Sequence, residues 1–271
     1  MKISFSTLAC PDFSWTDIYT MAKDLGFGGI EIRGLGEDIF AVNARPFTDE
    51  RLPKTLEKLQ SLGLEIPCLA AGCALKYKED FDKNISEIVQ YIVLAKKLGT
   101  PYIRVLGDRY PQPEGEVDDA FVVDALKLLG VIAQGFNVCL LVETNGVYSD
   151  TKRLRELLDK VNMPSVAALW DMHHPYRYAG ESPRETVQNL GGLIKYVHVK
   201  DSVMVDGRPQ YRMMGEGDLP IPQMLDALVD IGYDGYISLE WVKRWAQELS
   251  DAGVCSPSLP TICTTISPPS P

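Results

Sequence analysis

The sequence predicts a single-domain (β/α)8 barrel, and three observations carry that reading. Eight short apolar runs alternate with helical patterns, and eight such units favour a closed parallel barrel over an open doubly wound sheet. The length, 271 residues, suits a fold of typically about 250 residues. The last four apolar runs each end on an acidic residue or a histidine, the position where such barrels carry their chemistry.

The elements follow in order. ISFSTLA (residues 3–9) reads as the first strand, with apolar residues interleaved by Ser and Thr. The helical stretch WTDIYTMAKDLGF follows, with Ser14 as N-cap and Gly26 as its stop. GIEIR (29–33) is the second strand, and TDERLPKTLEKLQSLG is a helix running from Thr48 to Gly63. EIPCLAAG (65–72) precedes DKNISEIVQYIVLAKKLG, in which Ile85, Ile88, Ile92 and Ala95 share one face. YIRVLG (102–107), VCLLVET (138–144) and VAALWD (166–171) alternate with the helical VDDAFVVDALKLLGVIAQ, SDTKRLRELLDKV and SPRETVQNLGG. YVHVKD (196–201) leads into the longest irregular connection, SVMVDGRPQYRMMGEGDLP. A loop that long in a compact domain points to function. IPQMLDALVDIG and YISLEW (236–241) complete the eighth unit. The barrel domain is assigned to residues 1–250, with no internal boundary.

Composition narrows the function. The hydrophobic fraction of 45% supports a sizeable core. With 27 basic and 37 acidic residues the net charge is −10, which argues against a nucleic-acid partner. No run approaches the roughly 20 apolar residues that span a membrane. The six cysteines, Cys10, Cys68, Cys73, Cys139, Cys255 and Cys263, form no CxxC pair and read as reduced thiols in a cytoplasmic protein. MKISFSTLACPD places Cys10 after an apolar stretch, as a lipoprotein signal would. That stretch is too short and holds Ser4, Ser6 and Thr7, so the strand reading stands.

The strand ends concentrate the chemistry. LLVE, ALWD, YVH and ISLE end at Glu143, Asp171, His198 and Glu240, spaced by 28, 27 and 42 residues. The first two intervals match one strand–helix unit, and the third matches a unit plus the long loop. Any one of these residues alone would read as a solvated strand-end group. Four in successive strands put three carboxylates and one imidazole in one mouth, where like charges repel unless a cation lies between them. Three oxygen donors and one nitrogen suit a single divalent ion, Mn²⁺ first, with Mg²⁺, Co²⁺, Fe²⁺ or Zn²⁺ as alternatives.

In order and placement, TLACPDFSW, GFGGIEIRG, LLVETNG, WDMHHP, VHVKD, GEGDLPI and SLEW resemble the sugar phosphate isomerase/epimerase family with a xylose isomerase-like barrel. That group includes D-tagatose 3-epimerase, keto-inositol (inosose) isomerases and dehydratases, and endonuclease IV. The resemblance covers nearly the whole chain. It implies a metal held by Glu143, Asp171, His198 and Glu240, the same four residues. It further implies that Glu143 and Glu240 double as catalytic acid and base around an enediolate, with His174 on a substrate oxygen. His173 takes no family role and reads as a loop residue facing elsewhere. Glu31 or Arg33, Lys200 and the loop residue Glu216 are further substrate-binding candidates. Arg104, inside a strand, demands an anionic partner. The implied function is isomerisation or epimerisation of a sugar or keto-polyol, by proton abstraction next to a carbonyl. Inosose dehydration is the alternative. An endonuclease IV-like phosphodiesterase ranks lower, because its metal cluster needs more histidines than the three present. A non-catalytic sugar binder would not require all four ligands. The implied partners are a small-molecule substrate and, as is common for this barrel type, a second copy in a homodimer. Ser149 and Asn145 stand where many relatives have Glu and His, which bears on substrate choice rather than on metal ligation.

The last stretch, residues 251–271, departs from the pattern. VCSPSLPTICTTISPPSP carries five prolines, which exclude a regular helix, so the eighth helix is expected to be incomplete. Its first turns are placed at residues 242–249. One codon choice for the tail, read one base out of frame, gives VFPQFANYMHNYLSAIP, which has the spacing of a packing helix. Resequencing the gene tests that frameshift reading, and a two-state melt well above 60 °C would oppose the low stability expected of an uncovered barrel face.

Overall fold

The computed structural model describes residues 1–255. Its strands are β1 (Lys2–Ser6), β2 (Gly29–Glu31), β3 (Cys68–Ala74), β4 (Tyr102–Leu106), β5 (Cys139–Glu143), β6 (Val166–Asp171), β7 (Ile194–Val199), β8 (Asp201–Val205), β9 (Arg208–Arg212) and β10 (Tyr236–Leu239). Eight of them pair in parallel in the order β2-β1-β10-β7-β6-β5-β4-β3. The ring closes between β2 and β3 through the bridges Gly29–Glu65 and Ile32–Leu69. There the Ile30 N–H donates to Glu65 O (2.9 Å) and the Ala70 N–H to Ile32 O (2.9 Å). The chain is thus the expected (β/α)8 barrel.

Helices α1 (Trp15–Asp24), α2 (Leu52–Leu62), α3 (Phe81–Leu98), α4 (Asp119–Gly135), α5 (Thr151–Val161), α6 (Pro183–Leu190) and α7 (Ile221–Asp230) surround the ring. Their starts are set by side chains that take otherwise unpaired amides. Ser14 with Asp17 and Ser182 with Glu185 form reciprocal capping boxes. Asp118 and Asp150 accept from the Phe121 and Arg153 amides. Helix α2 starts at Leu52 rather than Thr48; Thr48 O accepts the Arg51 and Leu52 N–H groups in a preceding turn, and Pro53 falls in the first helical turn, which needs no amide there.

Strand periodicity divides the interior. One face, with Phe5, Ile30, Val105, Val142, Trp170 and Ile237, packs under the helices. The other points into the barrel. At its N-terminal end Cys68, Leu141, Ala167, Leu169, Tyr196 and Tyr236 pack together with Tyr102 and Cys139. The phenol of Tyr196 lies 2.9 Å from Ser4 Oγ, and its ring meets Tyr102 and Tyr236 at 6.4 Å each. This plug forms the floor of a well that opens at the C-terminal ends of the strands. Cys10, Cys68 and Cys73 are buried, and Cys139 is a thiol at partial exposure whose pKa burial pushes up to about 11. No described helix is long and apolar enough to cross a membrane.

Two expectations are corrected. The connection after β7 is not irregular, because β8 and β9 form an antiparallel hairpin within it. Its two-residue turn is Asp206–Gly207, both at positive φ (49° and 75°), as a type I′ turn requires. Residues 242–249 form turns, not helix. Trp241 Nε1 donates to Ser250 O (2.8 Å) and Lys243 Nζ to Leu249 O (2.7 Å), and these bonds fold the segment back on itself. The Arg244 N–H ties it to Leu8 O, at the end of β1. A four-residue helix, α8 (Ala252–Cys255), follows. The tail from residue 256 lies outside the described residues.

Candidate active site

Barrel closure brings the four strand ends together. Ligand atoms of Glu143, Asp171, His198 and Glu240 all lie within 4.8 Å of one another, and all four side chains are buried. Glu143 and Asp171 end β5 and β6, His198 lies in β7, and Glu240 directly follows β10. Parallel register aligns them, with Asp171 opposite His198 and Leu239 opposite Val199.

Each group is held by a neighbour. Burial opposes ionisation of Glu143, but the Arg104 guanidinium, with Nε 3.0 Å from Oε2, and His198 outweigh it. They hold the carboxyl below the usual carboxylate range. Arg104 thus has the anionic partner its position demanded, and its Nη1 also donates to Ala71 O (2.9 Å). Lys200, 2% exposed, donates to Asp171 Oδ2 and, at 2.5 Å, to Glu240 Oε2. Burial opposes its charge, and those two carboxylates overcome that and hold its proton firmly. Burial likewise opposes ionisation of Glu240, and Lys200 and His198 pull its pKa down.

The WDMHHP segment divides its labour. The His173 N–H donates to Asp171 Oδ1 (2.9 Å), and Thr144 Oγ1 accepts the Asp171 N–H (2.9 Å), so backbone and hydroxyl fix Asp171. His174 donates from Nδ1 to Thr144 O (3.0 Å). Its Nε2 has no hydrogen-bond partner and lies 3.6 Å from Asp171 Oδ2. Burial keeps His174 neutral, Lys200 adding to the effect against the pull of Asp171. His173 is fully buried and faces the next loop, with Nε2 3.0 Å from Ser202 Oγ. Ser202 in turn accepts from Arg177 Nε (3.1 Å), and Arg177 pairs with Asp218. The loops after β6 and β7 are thereby joined.

Glu31 was expected to contact substrate. The structure places it behind His198, fully buried, with His198 Nε2–H donating to Glu31 Oε2 (2.9 Å). That contact leaves Nδ1 facing Glu240 Oε1 at 3.4 Å and Glu143 Oε1 at 3.7 Å, without a hydrogen-bond partner. A carboxylate behind a histidine fixes ring orientation and tautomer for a metal. Glu31→Gln is therefore expected to lower Mn²⁺ affinity by about 10- to 100-fold, as read from free Mn²⁺ by electron paramagnetic resonance. Unchanged affinity would remove this positioning role.

The residues fit a divalent cation. Glu31, Glu143, Asp171 and Glu240 supply four carboxylates, and Arg104 and Lys200 supply two lasting cations. Protonated His198 can match one more, so at least one negative charge stays unmatched among these buried groups, and such a deficit is costly. Burial alone would lower the pKa of His198, yet Glu31 and Glu240 raise it well above the ordinary value. Its Nδ1 therefore sits where positive charge is stabilised. The donor set of three oxygens and one nitrogen suits Mn²⁺, Mg²⁺, Fe²⁺, Co²⁺ or Zn²⁺.

Glu216 is exposed and joins none of these contacts. Its loop is instead organised by Asp201, which the sequence did not single out. Asp201 Oδ2 accepts the Gly215 and Gly217 amides (3.0 Å each) and Oδ1 accepts that of Ser202 (2.8 Å). A Cβ on Gly217 would fall 1.9 Å from Asp201 Oδ1. Gly217→Ala is expected to cost about 1–3 kcal/mol through overpacking in urea unfolding; a loss below about 0.5 kcal/mol, the level of ordinary surface substitutions, would mean the loop yields freely. Asp108 does similar work across the mouth, accepting from Lys76 Nζ (3.2 Å) and the Val147 amide (3.1 Å).

Residues 20–254 match the family described as the xylose isomerase-like TIM barrel. The chain belongs to that family. Within it, 3-dehydroshikimate dehydratase of Bacillus anthracis is 25% identical over 272 residues, covering 93% of this chain and 95% of the relative. Among solved structures, the IOLI protein with a bound zinc atom superposes with a TM-score of 0.80 at 18% identity, covering 98% of both chains. A D-tagatose 3-epimerase-like protein gives 0.76 at 19%, again covering 98% of both. Xylose isomerase-like barrels similar to this chain thus include a dehydratase and an epimerase-like protein, and one of them holds zinc.

Proposed function

We propose that this chain is a divalent-metal-dependent enzyme that isomerises or epimerises a sugar or keto-polyol through an enediolate. The observation that carries this reading is the buried cluster of Glu143, Asp171, His198 and Glu240 with its excess of negative charge. When bound, the cation supplies Lewis-acid polarisation of the substrate carbonyl. The remaining work falls to side chains. Glu143 and Glu240 come from strands separated by β6 and β7, so they approach a substrate in the mouth from different sides. Both are held ionised, by Arg104 and Lys200 respectively, so either can take the proton next to the carbonyl. Returning it to the neighbouring carbon isomerises the substrate; inversion at the same carbon needs the other carboxylate to deliver a proton on the opposite face, one it first takes from a substrate hydroxyl. His174, neutral with Nε2 free, is placed to bond a substrate hydroxyl. The plug beneath excludes water from below.

Dehydration of a related keto-polyol is the second reading. It shares the first proton abstraction and then expels a hydroxyl. The match to the dehydratase relative covers 93% of this chain. One experiment separates the outcomes. Mn²⁺-loaded protein is incubated with ketoses and keto-inositols in heavy water and followed by NMR and mass spectrometry. Deuterium next to the carbonyl with no mass loss supports epimerisation or isomerisation, and loss of one water supports dehydration. Glu143→Gln is expected to lose both. A metal-binding protein that gives neither label uptake, nor an isomeric product, nor loss of water from any of these compounds would sink the proposal.

A further inference from the structure

The geometry points to an oxyanion subsite on the β2–β3 side of the mouth, built on Arg33, which holds a carboxylate or phosphate substituent of the substrate. This rests on the proposed reading that the mouth binds a small carbonyl compound.

Arg33 follows β2 in a bend just past the bridge at Ile32, close enough to Arg104 to feel its charge. Its backbone is fixed there, with the Arg33 N–H donating to Thr7 Oγ1 (2.8 Å) and Ile32 bridged to Leu69. Across the seam, β3 is buried except at Gly72, which lies where the register of β3 against β4 shifts. The guanidinium lies against that glycine: a Cβ there would fall 2.9 Å from Arg33 Nη2. The exposed indole of Trp245 lies 5.7 Å from Arg33 Cζ. The floor of the subsite is therefore bare backbone, and one wall is aromatic.

The guanidinium is underused. It has five N–H donors, and among the described residues its side chain makes one hydrogen bond, from Nη1 to Ile39 O (3.2 Å). No described carboxylate comes within ion-pair distance. The nearby Glu87 is engaged, its Oε1 accepting the Gly72 amide (2.9 Å). Burial, the neighbouring Arg104 and, more weakly, Arg244 all disfavour the charge on Arg33. Arg104 has its own partner in Glu143; Arg33 has none. A planar fork with free donors, next to a second guanidinium and an open backbone surface, is suited to bidentate capture of an oxyanion. Because Arg104 joins this place to Glu143, an anion held by Arg33 would orient the rest of the substrate toward the carboxylate cluster.

The test uses full-length protein loaded with Mn²⁺. Binding of D-gluconate, D-fructose 6-phosphate and uncharged D-fructose is measured by calorimetry on wild type, Arg33→Met and Gly72→Ala. At least one anion is expected to bind wild type at least tenfold tighter than fructose, and the one that does identifies the substituent as carboxylate or phosphate. Arg33→Met should lose that preference while keeping the Mn²⁺-induced rise in melting temperature. Gly72→Ala, which keeps the charge but pushes Nη2 aside, should weaken it; if Arg33→Met does not fold, this variant decides. Anions that bind no better than fructose, or a preference that survives in the variants, would overturn the subsite. Loss of the Mn²⁺ response in wild type would instead strike the proposed function, so the two failures are distinguishable.

Discussion

Stripped of metal and titrated with Mn²⁺, the protein is expected to melt progressively higher. Ligand that binds only the folded state at 100 times its Kd adds about 2.7 kcal/mol, or about 5–10 °C for a chain of this size. Asp171→Asn and His198→Gln should lose the rise. Asp171 is held by the His173 amide and by the Lys200 ammonium, so Asn preserves its shape and removes its charge. Gln at 198 removes the imidazole nitrogen that faces Glu143 and Glu240. Both variants should also lower turnover by about 1,000-fold or more, if polarisation of the carbonyl is worth several kcal/mol. A cooperative melt that ignores Mn²⁺ would remove the metal reading and the enzymatic proposal with it.

Lys200→Met should produce the second large effect, and with an unusual dependence on metal. Removing one partner of a buried ion pair typically costs about 3–5 kcal/mol. Here the ammonium serves two carboxylates at once, Asp171 and Glu240. Without it the cluster holds one more unmatched negative charge. The metal-free variant should therefore be destabilised by about that amount in urea unfolding, and saturating Mn²⁺ should recover much of the loss, since the extra negative charge favours the cation. A loss of equal size with and without Mn²⁺ would show that Lys200 acts through packing alone and would sink the electrostatic account.

The barrel and its four strand ends were legible because they are local. Each strand announces itself within half a dozen residues, and LLVE, ALWD, YVH and ISLE each finish on the side chain that matters. What stayed hidden depends on closure. The contact between Glu31 and His198 joins residues 167 apart in sequence, and no spacing rule connects them. Arg104 was recognised as needing an anion, but only the register of β4 against β5 shows that the anion is Glu143. Lys200 read as a substrate contact or a structural ion pair, and its place between Asp171 and Glu240 follows from the order of β6, β7 and β10. The hairpin was missed for another reason. Its Asp-Gly turn signal is present, but it lies between strands that belong to no strand–helix unit, so the repeat obscured it. Residues 242–249 read as helix because their periodicity is helical, whereas the Trp241 and Lys243 side chains capture the backbone carbonyls of Ser250 and Leu249.

The plug of Tyr196, Tyr236 and Tyr102 has a consequence for the fate of a hydrogen atom. Substrate, product and any abstracted proton share a single doorway, because packed side chains close the opposite end of the well. While a molecule fills that doorway, a proton taken from its carbon has no aqueous route out. It returns to the molecule it left, or waits for departure. Turnover should therefore outpace wash-in of solvent label, and the ratio of the two rates becomes a gauge of how tightly the mouth is stoppered.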